Sequence, residues 1–320
     1  MSHPLLSFVF HRGGSGLLSL ILVSVLVFIG TALLPGDAAQ AILEQSATPE
    51  ALAELREELG LNDPLYLRYV KWVNGALQGE MGTSFSSNRP VVELLIPKLI
   101  NSMILALSAA AIALPLAISL GIIAALNRES LLDRMISLVS MWLVSVPSFL
   151  TGYILINIFA TRLGWFPSLS VVRGSATFLD WVNALALPVA TLVFVTIAHT
   201  MRLTRTAILS VMASDYILMA EIKGLSPRRI IVRHALPNAL SPILSISMLT
   251  IAYLMVGVVV IEAVFSYAGM GKLMVDAVAY RDLPLVQACG VCFSFVFIFL
   301  NFTADFLSVL VNPRLREAKV

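Results

Sequence analysis

The sequence predicts an all-α integral membrane protein with six transmembrane helices, on three observations. Hydrophobic residues fill 58% of the 320 positions and charged residues only 12%, about half the share in a soluble domain. Six uncharged runs, 13–36, 99–127, 135–161, 181–201, 235–261 and 283–304, each exceed the roughly 20 residues that a helix needs to cross hydrocarbon. Barrel strands would instead alternate in segments of about 10 residues, and no such pattern runs along this chain.

The first run follows Arg12, as a cleavable leader would follow a basic residue. Its continuous apolar part, 17–34, outruns the roughly 7 to 15 residues of a leader's apolar stretch, so it reads as a retained span. Between the first and second runs lies a loop, 37–98, with nine acidic and five basic residues. Thr48-Pro49-Glu50 supplies an N-cap, a first-turn proline and an early carboxylate, and Leu52, Leu55 and Leu59 follow at helical spacing before Gly60. The stretch 64–79, with Leu65, Tyr69, Trp72, Val73 and Leu77, reads as a second amphipathic helix, suited to the membrane interface or to packing beneath a neighbouring element.

Lys and Arg set the orientation. With the N-terminus inside, the cytoplasmic pieces hold twelve basic residues, six of them between Arg202 and Arg233, while the short outer loops hold Arg162, Arg173, Lys272 and Arg281. Loops as long as 37–98 scarcely enter this count. Both termini are therefore expected in the cytoplasm. The chain divides into 1–36, a tail and the first span; 37–98, an extracytoplasmic loop; 99–311, five spans with a cytoplasmic segment 202–240; and 312–320, a cytoplasmic tail.

Several chemistries find no residues to carry them. Cys289 and Cys292 form a C-x-x-C inside the sixth run, where they read as small packing residues, and His3, His11, His199 and His234 lack ligand spacing, so no metal is assigned. The six cores hold no Asp, Glu, Lys or Arg, unlike the ion relays of secondary transporters. His199 and Asn157 read as packing or interhelical hydrogen-bonding residues. No nucleophile with its base and no pair of carboxylates suggests a membrane-embedded enzyme. The phosphate-cradling G-x-x-x-x-G-K-[ST] is absent as well, because Gly269-Met270-Gly271-Lys272 is followed by Leu273.

The segment 202–240 is sharply punctuated. Ser214 or Asp215 can cap a helix through Tyr216, Met219 and Ala220, and Gly224 can take the left-handed position that ends it. Ser226-Pro227 starts another helix at once, carrying Arg228, Arg229 and Arg233. A two-turn helix lying across the inner surface follows. Read from these residues alone, it is either a docking element or an interfacial loop whose arginines touch anionic lipid.

Asp215-Tyr216, Ala220-Glu221-Ile222-Lys223-Gly224 and, after nine residues, His234-Ala235-Leu236-Pro237-Asn238-Ala239-Leu240 resemble the EAA loop of binding-protein-dependent ABC importer permeases, most of all the dipeptide/oligopeptide/nickel branch. Leu34-Pro35-Gly36-Asp37, Leu59-Gly60-Leu61 with Pro64-Leu65-Tyr66, Gly79 to Gly82-Thr83-Ser84, Glu262-Ala263-Val264-Phe265, Gly269-Met270-Gly271, Arg281-Asp282 and Asn312-Pro313-Arg314-Leu315-Arg316 also fit, in the right order. Glu221-Ile222 stand where the branch usually has a basic residue and alanine, and Ala268 where proline is common.

The resemblance implies a type I ABC importer permease core of five helices, with the first span packing outside it. It implies a coupling helix that docks in a groove of a cytoplasmic ATPase, through Asp215, Tyr216, Met219, Ala220, Glu221, Lys223, Gly224, Leu225 and Arg229. It also implies a receptor-facing loop motif of Glu262, Phe265, Gly269, Gly271, Arg281 and Asp282. The implied partners are a homologous second permease, two ATPase subunits carrying the ATP and magnesium, a solute-binding receptor and membrane lipid, with no nucleic acid and no cofactor in this chain. The implied site is the bacterial inner membrane. Peptides lead the implied solutes, with nickel chelates, opines and other small polar molecules as alternatives.

Overall fold

The computed structural model describes residues 4–33, 48–58, 60–171 and 177–311, together with Ala39 and Leu43. Expectations on Leu34 to Asp37, Leu59, Arg173 and the tail 312–320 lie outside the described residues.

The N-terminal part of the chain holds α1 (Pro4–Ala32), α2 (Pro49–Glu58) and α3 (Leu65–Leu77). Next come α4 (Val91–Leu126), α5 (Leu131–Ser145), α6 (Ser148–Leu155, running on as a π turn over Ile156–Arg162) and α7 (Phe178–Met212). The rest is α8 (Asp215–Ile222), α9 (Pro227–Ile230, joined by a π turn over Ile231–Ala235 to the next helix), α10 (Leu236–Val264), α11 (Met270–Ala279) and α12 (Leu283–Val311). Among the described residues, five helices, α1, α4, α7, α10 and α12, are long and apolar enough to cross a membrane.

The third apolar run departs from the expected single span. It is split into α5 and α6, which meet at 98°. Val146, the residue before Pro147, is extended at ψ 124°, as sterics against a proline ring require, and α6 begins immediately after that proline. Each arm has 15 residues, about 22 Å of helix, so neither alone crosses the roughly 30 Å of hydrocarbon. The six-span count holds only if the bent pair serves as one crossing.

The core is built on α4 against α7, with α10 packed on both and α12 on α10. Alanines line the buried face of α4 (Ala106, Ala109, Ala110, Ala113 and Ala117), which brings the helices close. Gly121 marks the tightest point, because a Cβ there would lie 2.8 Å from the Met201 carbonyl oxygen. Arg205 of α7 grips Asp133 of α5 with two parallel hydrogen bonds of 2.8 Å, and Asp133 is only 4% exposed. This planar, charge-assisted pairing fixes the start of the broken span.

The first span packs along α12, with Arg12 paired to Asp305 and Gln287 donating to Thr31 at 2.7 Å. The expected loop helices are present as α2 and α3. Ala51 donates to the Thr48 hydroxyl at 3.2 Å, capping α2. Helix α3 lies beneath a neighbour: Tyr69 meets Phe28 of α1 edge-on at 5.4 Å, Trp72 meets it at a tilt at 5.8 Å, and the Tyr69 and Ser24 hydroxyls bond at 2.8 Å.

Candidate functional site

Two regions gather the residues singled out by sequence. The first is α8. Ser214 is extended ahead of it, but its hydroxyl donates back to the Val211 carbonyl, and it is the Ser214 carbonyl that receives the amides of Ile217 and Leu218. At the other end Gly224 sits at φ +71°, its amide bonds the Glu221 carbonyl at 2.9 Å, and Leu225 reaches the Ala220 carbonyl at 3.2 Å. That pair of bonds is the Schellman motif, completed by the apolar contact of Leu225 with the face holding Ala220. Pro227 then opens α9, with the Ser226 carbonyl accepting from Arg229 and Ile230.

Ile217 and Ala220 point inward, against Ile230, Ala235 and the end of α7 at Val211 and Met212. This corrects one expectation. Ala220, which the resemblance places among the docking residues, is buried, because it is the third helical residue from the cap and must meet Leu225. The outer face instead presents Tyr216, Leu218, Met219 and Ile222, which is 69% exposed. Asp215, Glu221, Lys223, Gly224 and Arg229 are exposed around them, and Leu225 is half-buried. The arrangement is a short rigid strut: one side is locked to the end of α7, to α9 and to the π turn that leads into α10, and the other is apolar and open.

The second region is the C-terminal end of α10. Glu262 is completely buried, and its carboxylate accepts from the amides of Gly271 (2.7 Å) and Lys272 (3.1 Å) at the start of α11, and from the Ser102 hydroxyl (2.5 Å). Burying a carboxylate is tolerable only with such partners, and the N-terminus of α11 adds its favourable dipole. A Cβ on Gly269 would overlap this carboxylate, and one on Gly271 would lie 2.5 Å from the Val259 Cα, so both positions demand glycine for room. Ser102 also accepts from Met270, Asn101 donates to Ala268, and Tyr267 donates to Asn101. Burial and the adjacent Glu262 charge push the Tyr267 phenol up, which keeps it a donor.

Asp282 is likewise fully buried and accepts from Ser84 (2.6 Å), the Ser86 hydroxyl (2.9 Å) and the Ser86 amide (3.1 Å). The Gly82-Thr83-Ser84 and Arg281-Asp282 stretches, about 200 positions apart, thus meet. Of the six residues expected in a receptor-facing motif, Glu262, Phe265, Gly269, Gly271 and Asp282 are buried and only Arg281 is exposed. They hold the loop's shape, and what they present outward is Ala268, Val278, Tyr280 and Arg281. The hub residues Asn101 and Ser102 were not singled out by sequence. Their signal was a polar pair at the start of an otherwise apolar run.

Residues 117–317 match the model of the binding-protein-dependent transport system inner membrane component, and residues 5–106 match the N-terminal model of the same membrane components. The chain belongs to this family. As a permease it is 35% identical over 309 residues to a probable peptide ABC transporter permease protein of Sinorhizobium fredii, covering 97% of this chain and 99% of that one. It is 34% identical over 298 residues to a glutathione transport system permease protein of Escherichia coli K12, covering 93% and 95%. Among solved structures it is similar to the inward-facing MetNI methionine ABC transporter, with a TM-score of 0.49 and 15% identity, covering 71% of this chain and 96% of the other. It is the multi-pass membrane permease subunit of an ABC importer.

Proposed function

We propose that this permease forms half of the path by which peptides, or similarly small polar solutes delivered by a solute-binding receptor, enter the cell, driven by ATP hydrolysed on separate subunits. Helix α8 carries the reading. It is too short to be stable alone, is clamped between the ends of two candidate spans, and turns an apolar face to the side where the basic residues concentrate. A rigid strut of that kind moves the two spans it joins as a body when a partner closes on it. Relatives named for peptide and glutathione transport support the solute class.

In this scheme the termini and 202–240 face the cytoplasm, 37–98 faces outward, and α4 to α12 form the core that pairs with a second permease. One of the two ATPase subunits docks on Tyr216, Met219 and Ile222, with Asp215, Glu221, Lys223 and Arg229 setting the charged rim and Gly224 the strut's end. The receptor meets the outer face around Tyr280 and Arg281, on the loop shaped by Glu262, Phe265, Gly269, Gly271 and Asp282. The absence of a phosphate-cradling motif supports placing ATP and magnesium on the partners.

Uptake of labelled peptides into proteoliposomes holding the complete complex, with receptor and ATP on their proper sides, tests the reading. Uptake that requires both receptor and ATP is expected. Uptake that persists without ATP would refute it, as would unchanged uptake in a Met219→Glu, Ile222→Glu variant.

A further inference from the structure

Halfway along the spans, the break between α5 and α6 opens onto a cavity of about 410 Å³. Ser148, the first residue of α6, lies at its rim, facing Thr196, His199 and Thr200 near the middle of α7 and Thr250 and Tyr253 near the middle of α10. Irregular backbone at membrane depth is tolerated only where protein buries it or water reaches it. Pro147 is exposed and Val146 and Ser148 are only half-buried, so this break needs water or another chain beside it.

The polar groups point the same way. Thr200 and Thr250 bond each other at 3.1 Å, but the side chains of Ser148, Thr196, His199 and Tyr253 have no hydrogen-bond partner among the described residues. Four such groups on one wall, in a region whose other exposed surface is aliphatic and aromatic, would be costly against lipid tails. Gly257, one turn beyond Tyr253, leaves open space where a Cβ would be.

The geometry points to this cavity as a solute-contact site of the path, with Ser148, His199 and Tyr253 hydrogen-bonding the amide, ammonium and carboxylate groups of a small peptide in passage. The assignment rests on the permease reading above and deepens it. The wall carries hydroxyls and one imidazole as donors and acceptors and no Asp, Glu, Lys or Arg. Such a lining suits passage, because contacts must be favourable enough to admit a solute and weak enough to release it. It also leaves the site without a preference for either sign of charge, so selection by charge must be imposed elsewhere.

Two measurements on the assembled complex test this. In a Cys289→Ala, Cys292→Ala background, Ser148→Cys and Gly257→Cys are exposed to anionic and cationic methanethiosulfonates, with Ile21→Cys on the face of α1 as the comparison. Reaction at least about tenfold faster at the cavity positions is expected in one or more nucleotide states. Reaction no faster than at Ile21→Cys in every state overturns the site, including the case in which a second permease fills it. The second arm compares uptake of lysyl-alanine and glutamyl-alanine by His199→Glu and wild type. A fixed charge beside the passing solute should raise the lysyl to glutamyl uptake ratio at least about tenfold, at unchanged complex abundance. An unchanged ratio overturns the assignment. If wild type carries neither peptide, the proposed solute class fails, while thiol reactivity still decides whether the cavity is part of the path.

Discussion

Replacing Gly269 with alanine probes the outer loop where it is least forgiving. The added Cβ would overlap the Glu262 carboxylate, which is fully buried and cannot retreat without releasing the amides of Gly271 and Lys272. Hydrogen bonds to a charged group contribute roughly 1.5 to 3 kcal/mol each, so losing the two costs at least about 3 kcal/mol. Displacing Glu262 also unseats Ser102, its third donor, and through it the Met270 amide. Gly30, where a Cβ meets nothing within 4 Å, provides the matched control, and Glu262→Gln keeps the shape while removing the charge. Thermal unfolding of the purified complex, followed by loss of monodisperse permease, should show Gly269→Ala strongly destabilised, Gly30→Ala unchanged or slightly stabilised, and Glu262→Gln between them. Gly269→Ala melting with wild type would refute the argument that the carboxylate holds this loop.

Four further outcomes follow from the same geometry. Gly224→Leu forces a side chain into φ +71° with open space around it, costing about 1 kcal/mol, so permease abundance should be normal while ATPase co-purification and uptake fall; loss confined to Arg228→Gln, Arg229→Gln would favour a lipid contact instead. Ala220→Trp overpacks the buried side of α8 by roughly 1 to 3 kcal/mol and should loosen the strut, seen as new protease cleavage within 213–226. Arg205→Ala leaves Asp133 buried without its partner, a loss of about 3 kcal/mol or more, measurable as a lower melting temperature that Arg205→Lys restores only in part. Thiol labelling of intact spheroplasts should reach Tyr66→Cys but not Ser226→Cys, and the reverse pattern would invert the orientation.

Most of the fold was legible because apolar length and charge placement act locally. The runs found α1, α4, α7, α10 and α12, and the caps at Thr48 and Gly224 found α2 and α8 before any contact was known. The bend in the third run was not legible, because composition is blind to the backbone restriction that Pro147 places on Val146. In the candidate site, the αL role of Gly224 could be read from helix punctuation, while the burial of Ala220 could not. Which side of a two-turn helix faces in depends on Ile230 and Ala235, which belong to the next helix. The pairings of Glu262 with Ser102 and of Asp282 with Ser84 join positions 160 and 198 apart. No local pattern encodes such a meeting, and the motif order alone carried the hint that those residues matter together. The cavity at Ser148 was hidden for the same reason, since it exists only once the span is broken.

The central claim is that ATP turnover on a partner moves solute through this chain by way of α8. It is tested most directly by introducing cysteine at Met219 in the Cys289→Ala, Cys292→Ala background, cross-linking it to single cysteines in the docking groove of the co-purified ATPase, and measuring receptor-dependent peptide uptake before and after reduction. The account predicts a cross-link between Met219→Cys and the ATPase, uptake blocked while the link stands and recovered on reduction. No cross-link at any groove position, with ATP-dependent uptake intact, would contradict it.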